Sequence, residues 1–237
     1  MTLYKVLPYL KVKKLDLWAL NYRFDRLDPE DGLRKLYKVF DEEDVLVTTS
    51  FGTKSIYLIH LISQANPGQK IYFVDTGFHF KETLVYKEMI EDIYDVNIVS
   101  LHPDEEPHRL TAEEEWWKDH PKMCCTINKI APLDHIVTQH KVWVSSLMSY
   151  QTSFRAGLRM FEKQGDILKY HPLLHLPEEE FNRRLDKLEL PMHPLAHVGY
   201  GSIGCTHCTI KGEGRAGRWS DRGKTECGLH VKYYNKK

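Results

Sequence analysis

Long apolar runs are missing from this chain, and none approaches the roughly 18 residues that a membrane-crossing helix needs. An excess of either charge is missing too. The 33 basic and 33 acidic side chains among 237 residues leave a formal net charge of zero. That balance removes the usual electrostatic reason to expect a nucleic acid or an anionic membrane as partner, although a local basic pocket stays compatible with it. The opening M-T-L-Y-K-V-L-P-Y-L-K-V-K-K carries no signal-peptide core followed by a small-residue cleavage site, so a cytoplasmic location is expected. Cysteine is scarce, with five in all, and in a reducing compartment structural disulfides are rare. Internal repeats and low-complexity segments are also lacking. Nor is there a G-x-x-x-x-G-K-[ST] loop, which excludes a Walker A phosphate site.

What is present reads as an α/β domain. Asp28-Pro29-Glu30-Asp31 has the form of a helix start, and Leu33, Leu36, Tyr37 and Phe40 follow at helical spacing. Strands are expected at Val45–Thr49, Ile71–Asp75, Asn97–Ser100 and Val142–Val144. Helices are expected after Ser55, near 80–94, at Thr111–Trp117, at Ile127–His140 and near 178–189. The alternation predicts an open, mostly parallel, Rossmann-like sheet covered on both faces. Residues 1–40 read as an N-terminal helical segment packed on the core, and 41–237 as the main domain. The C-terminal third, punctuated by Pro and Gly, reads as a site-bearing extension. Its last residues, about 220–237, are expected to form a mobile tail.

Two turns sit where ligands of open α/β sheets collect, at the carboxyl ends of strands. One is Ser50-Phe51-Gly52-Thr53-Lys54-Ser55, whose backbone N–H groups and hydroxyls at a helix start suit a phosphate or sulfate. Its plainer role is a hydroxyl-rich helix cap. The other is Asp75-Thr76-Gly77.

The cysteines divide four and one. Cys124-Cys125 and Cys205-x-x-Cys208 supply four soft ligands, suited to tetrahedral zinc or to an iron–sulfur cluster. Adjacent cysteines seldom chelate one zinc, which favours the cluster modestly. Cys227, in Thr225-Glu226-Cys227-Gly228-Leu229-His230, stands apart. Gly223 and Gly228 give its segment freedom, and Lys224 and His230 favour a thiolate. Upstream, Arg215-Ala216-Gly217-Arg218 offers two guanidiniums for an oxyanion. A buried inert thiol and a solvated basic loop are the alternatives for these two segments.

Taken in order, these segments resemble the thiol-dependent adenylyl-sulfate and phosphoadenylyl-sulfate reductases of assimilatory sulfate reduction. The likeness runs from about residue 40 to His230. It is carried by Ser50-Phe51-Gly52, Asp75-Thr76-Gly77, Cys124-Cys125, Gly199 to Thr209 around Cys205 and Cys208, Gly214 to Trp219, and Glu226 to His230. The resemblance implies an adenine nucleotide alpha-hydrolase-like fold with a C-terminal cysteine-bearing extension. It implies a 4Fe-4S cluster on Cys124, Cys125, Cys205 and Cys208. It also implies attack by Cys227 on the substrate sulfur, release of AMP, and cleavage of the S-sulfo-cysteine by a thioredoxin or glutaredoxin-type dithiol to give sulfite.

Lys129, Arg215 and Arg218 resemble the family's sulfate-gripping residues. With them, Ser50, Phe51, Gly52, Ser55, Asp75, Thr76, Gly77, Gln151, Arg155 and His230 complete the expected substrate contacts. The chain departs from the family at Met148 and Ser149, where arginines are usual, and at Asn128, where a basic residue is common. Lys54 replaces an acidic variant and suits a further phosphate, so adenylyl sulfate and 3′-phosphoadenylyl sulfate both remain open. An ATP-pyrophosphatase-type enzyme and a zinc-stapled binding module are the more distant alternatives. The oligomeric state stays open, a homo-oligomer included.

Overall fold

The computed structural model describes residues 16–219 together with Glu226 and Leu229. Strands β1 (Val45–Thr49), β2 (Ile71–Val74), β3 (Ile98–Leu101), β4 (Val142–Val144), β5 (Phe161–Gln164) and β6 (Ile167–Tyr170) form one sheet in the order β3-β2-β1-β4-β6-β5. All neighbours pair in parallel except β5, which runs antiparallel to β6 at the edge. The expected open, mostly parallel sheet is therefore found.

The central strands alternate between two apolar layers. Val45, Val47, Val142 and Val144 enter the larger core, while Leu46 and Trp143 enter a smaller one with Val74, Leu133, Val137 and Ile167. A sheet buried on both faces needs consecutive apolar residues, as Val45–Val47 of β1 and Val142–Val144 of β4 have. Helices α2 (Pro29–Leu36), α3 (Ile56–Ala65), α4 (Lys81–Tyr94) and α10 (Glu178–Lys187) contribute to the larger core. The smaller one is closed by α8 (Ala131–Val137). Asp28 caps α2 by accepting from the Glu30 N–H, and Pro29 opens it. The N-terminal helix α1 (Leu17–Phe24) drives Phe24 against Phe161 and Tyr170, with ring centroids 4.9 and 5.5 Å away. No helix among the described residues is long and apolar enough to cross a membrane.

Two segments differ from the sequence expectation. The β5–β6 hairpin was not anticipated, because Glu162, Lys163 and Lys169 interrupt its apolar pattern; Gly165 turns it at φ 61°. The helices expected at Thr111–Trp117 and Ile127–His140 are instead α5 (Glu105–Glu113), α6 (Trp116–Asp119), α7 (Pro121–Cys125), a π turn over Thr126–Ile130, and α8. Glu115, left-handed at φ 49°, separates the first two. Pro132 accounts for the π turn: it has no N–H for the Asn128 carbonyl and its ring crowds that oxygen. The backbone widens before it, so Ala131 donates five residues back to Thr126.

Because Phe24 joins α1 to the edge hairpin, Phe24→Ala is expected to cost about 3–5 kcal/mol. Urea unfolding checks this, and a loss below about 1 kcal/mol would show that α1 contributes little to the core.

Candidate active site

The sheet changes direction of growth at β1: β2 and β3 are added on one side, β4 and then β6 on the other. A crevice opens at the carboxyl ends of strands at such a point. A cavity of about 250 Å³ lies there, floored by Thr48 and Thr49 at the end of β1, Ser50 after it, and Ser145 after β4. It is roofed by the loop 201–204 and by Gly214, Arg215, Arg218 and Trp219.

The turn after β1 supplies Ser50, Gly52 and Ser55 to the cavity wall. Phe51 instead points into the core, fully buried and edge-on to Phe73 at 5.4 Å, with the backbone at φ 45°. The hydroxyls do not cap α3. Ser55 donates to the Gly52 carbonyl at 2.7 Å, and Thr53 to that of Gly201 at 2.9 Å. They fix the loop's shape and tie it to the roof. Lys54 Nζ meets Glu178 at 2.5 Å and the Tyr150 hydroxyl at 3.0 Å. Burial opposes its charge, yet these two partners hold Lys54 above the ordinary lysine value. It is an internally paired cation.

The remaining cations converge from three elements. Lys129 comes from the π turn, Arg155 from the short helix α9 (Ser153–Ala156), and Arg215 and Arg218 from the roof. Arg218 donates to the Ile203 carbonyl at 2.8 Å and lies 4.3 Å over the Trp219 ring, with Arg215 5.5 Å from the same ring. Arg155 is buried and engages Gln151 and Glu226. Met148 is a core residue at the cavity edge that accepts from the Tyr150 hydroxyl at 3.3 Å.

Cys124, Cys125, Cys205 and Cys208 line a second pocket of about 20 Å³, so residues 80 positions apart in sequence meet. Asp75-Thr76-Gly77 belongs to this side of the site. Thr76 Oγ1 is 3.4 Å from Cys205 Sγ, and Asp75 accepts from the Gly77 N–H at 3.0 Å. A Cβ on Gly77 would stand 2.6 Å from the His108 ring, and φ of 71° adds strain for any other residue. Thr206 N donates to the Phe78 carbonyl at 2.8 Å and joins the two loops. Trp117 and His207 stack at 3.8 Å beside Phe78, giving the thiols an aromatic wall.

Asn128 is the polar hub here. It donates to Cys124 O at 3.0 Å, Cys124 Sγ at 3.7 Å and Thr111 Oγ1 at 2.8 Å, and its Oδ1 meets His108 Nδ1 at 2.7 Å. Burial, followed by the neighbouring Cys125, pushes the Cys124 thiol up to about 11 against that hydrogen bond. Lys129 lines both pockets and sets a positive charge between them. Among the described residues, no three His, Cys, Asp or Glu side chains are arranged to hold a single metal ion. Cys227 and His230 lie outside the described residues, but their neighbours Glu226 and Leu229 reach the site.

A family model described as the phosphoadenosine phosphosulfate reductase domain matches residues 44–211, more than half of the chain. The chain belongs to this family. It is similar to the adenosine 5′-phosphosulfate reductase of Bacillus mycoides strain KBAB4, 37% identical over 199 residues that span 80% of this chain and 85% of the relative. The namesake from Bacillus cereus strain ZK / E33L is 36% identical over 228 residues, 89% of this chain and 95% of its own. Among solved structures, a Candida auris phosphoadenylyl-sulfate (PAPS) reductase in a phosphate complex superposes with a TM-score of 0.72. It is 20% identical and covers 85% of this chain and 99% of its own. Candida glabrata FMN adenylyltransferase shares the fold more distantly, with a TM-score of 0.57, 15% identity and coverage of 86% and 71%.

In this family member several site residues gave no sequence signal. His79 lines the cavity, its Nε2 3.1 Å from the Val74 carbonyl; burial, then the charges of Lys129 and Arg218, hold it below the usual histidine value. Phe78, Trp117 and His207 are isolated aromatics until folding assembles them. Ser145 reaches the cavity, and its hydroxyl is 2.7 Å from Nδ1 of the buried His171.

Burial, then the charges of Lys169 and Arg155, pushes His171 down to about 3 from 6.5. The folded protein therefore keeps it neutral, while the unfolded chain protonates it below about pH 6.5. Stability should fall as pH drops through this window, by about 1.4 kcal/mol per pH unit for this one group. His193, pushed down to about 4 by burial, acts in the same direction. Comparing urea unfolding at about pH 7 and pH 5, His171→Gln should show the shallower pH dependence. Equal slopes would mean that His171 is protonated in the folded state.

Proposed function

We propose that the chain reduces adenylyl sulfate to sulfite and AMP. The observation that carries this reading is the tail motif reaching the strand-end cavity. Glu226 and Leu229, on either side of Cys227 in sequence, meet a cleft lined by Lys129, Arg215 and Arg218. The curated relatives named adenosine 5′-phosphosulfate reductase support it.

The cavity suits an adenine nucleotide along the ends of β1 and β4, with the sulfate toward the cations. Both the sulfate and the attacking thiolate are anionic, so Lys129, Arg215 and Arg218 offset the repulsion as they approach. The Cys227 thiolate attacks the sulfonyl sulfur. A sulfur–sulfur bond forms, the bond from sulfur to the bridging oxygen breaks, and AMP departs with that oxygen. A thioredoxin or glutaredoxin-type dithiol then attacks the S-sulfo-cysteine and releases sulfite as a mixed disulfide forms. Its second thiol resolves that disulfide, returning the Cys227 thiolate; two electrons pass from the dithiol to sulfur. The cytoplasm keeps such dithiols reduced.

Cys124, Cys125, Cys205 and Cys208 would hold a 4Fe-4S cluster. The donor set fits it: four thiols line one pocket walled by Phe78, Trp117 and His207. Such a cluster supplies a tuned electrostatic field beside the substrate anion. Lys129, which lines both pockets, places a positive charge between the residues that would hold the cluster and the cleft. The pairing of Lys54 with Glu178 favours adenylyl sulfate over its 3′-phosphorylated form, since the cation suited to a further phosphate is already engaged.

Sulfite release with thioredoxin as reductant is the test. Adenylyl sulfate should turn over at least about tenfold faster than the 3′-phosphorylated nucleotide, the equivalent of about 1.4 kcal/mol. Cys227→Ser should release no sulfite while still binding AMP. Sulfite from neither nucleotide would reject the reading. Anaerobically purified protein should carry about four irons and as many acid-labile sulfides per chain, and Cys205→Ser should lose them. A protein holding zinc alone would reject the cluster.

A further inference from the structure

The tail brings a carboxylate beside a cleft lined by five cations and one acidic residue, Glu178, which is engaged by Lys54. Glu226 and Arg155 are both nearly inaccessible, their side chains 2% and 6% exposed. Arg155 Nε donates to Glu226 Oε1 at 2.8 Å and Nη2 to Oε2 at 2.9 Å, a two-pronged pair. The Thr152 hydroxyl donates to Oε1 at 2.8 Å, and Arg215 Nη2 stands 3.6 Å from Oε2. Thr152 also caps α9 by accepting the Arg155 N–H at 3.2 Å, so one residue orients the arginine and grips its partner.

A second anchor lies three residues on. Lys169 of β6 is buried, 4.0 Å over the Trp143 ring, and its Nζ donates to the Leu229 carbonyl at 2.7 Å. The Leu229 side chain packs against the smaller core. A buried lysine aimed at a backbone carbonyl of the tail, together with a buried arginine gripping a tail carboxylate, is more than a solvated chain end requires. Removing one partner of a buried ion pair is costly, so the Arg155–Glu226 pair favours keeping Glu226 in place.

We propose that Arg155 and Lys169 form a two-point clamp that holds Glu226 and Leu229 at the cleft, and that this hold governs the reactivity of Cys227, which falls between them in sequence. The inference rests on the reductase reading for the role of Cys227. It makes Glu226, Arg155 and Lys169 positioning residues. It also moves Arg155 from the expected substrate contacts to the machinery that holds the tail, leaving Lys129, Arg215 and Arg218 to grip the sulfate.

The test compares the full-length holoenzyme with Glu226→Gln, Glu226→Asp and Lys169→Met. One readout is the rate at which iodoacetamide alkylates Cys227, followed by peptide mass; the other is the split of sulfite release into kcat and KM. Glu226→Gln and Lys169→Met should raise alkylation about tenfold and lower kcat by about tenfold or more, with KM for adenylyl sulfate within about twofold. Glu226→Asp, which keeps the charge, should recover part of both. Alkylation at the unaltered rate in Glu226→Gln would overturn the clamp. So would a lower KM with kcat preserved, which would mark the carboxylate as a plug competing with substrate. Should Lys169→Met fail to fold, the Glu226 pair decides the matter. If the unaltered enzyme releases no sulfite, the reductase reading falls, while the alkylation rates still test the clamp.

Discussion

The point at which the sheet reverses its order of growth governs the rest of the molecule. With β2 on one side of β1 and β4 on the other, the connections leaving their carboxyl ends diverge and cannot cover the gap between them. Everything that bears on chemistry is gathered at that gap. The turn after β1 forms its floor, Ser145 and the segment to Arg155 follow β4, and the loops at 201–204 and 214–219 close over it. The apolar layers on both faces of the sheet hold β1 and β4 in register and so fix the spacing of the two walls.

Charge is the second constraint. A chain with equal numbers of acids and bases concentrates five cations at one cleft and uses its own tail carboxylate as the counter-charge for two of them, Arg155 and Arg215. Lys54 is neutralised separately by Glu178. Lys129 stands where the cavity meets the cysteine pocket, so the two pockets share one positive wall. Neutrality of the whole and polarity of the site are compatible because one buried guanidinium, Arg155, and the half-buried Arg215 and Arg218 dominate their surroundings where water is largely excluded.

Much of the architecture was legible in the sequence because its signals are local. The Asp28-Pro29 cap, the Val45–Thr49 strand with the turn after it, and the Ile71–Val74 strand all carry their own punctuation. The β5–β6 hairpin was not, because buried Lys169 reads as a surface residue until Trp143 and the Leu229 carbonyl are seen around it. The π turn was hidden by an apolar periodicity that continues through Pro132. At the site, the paired cysteines were visible as pairs, and folding brings all four to one pocket. Asp75-Thr76-Gly77 was read as part of the nucleotide crevice, whereas Thr76 faces Cys205. The side chain of Phe51, in a turn expected to meet the substrate, packs into the core. Glu226 carried no signal of its own, since its meaning depends on Arg155, 71 positions away in sequence.

The central claim is that a tail thiol delivered to this cleft takes the sulfonyl group from the nucleotide. Intact-protein mass measurement after mixing with adenylyl sulfate, with no thiol reductant present, tests it most directly. The account predicts a gain of one SO₃ group per chain, mapped to the peptide carrying Cys227, with release of an equal amount of AMP. No mass gain, or a gain mapped to Cys124, Cys125, Cys205 or Cys208, would contradict it.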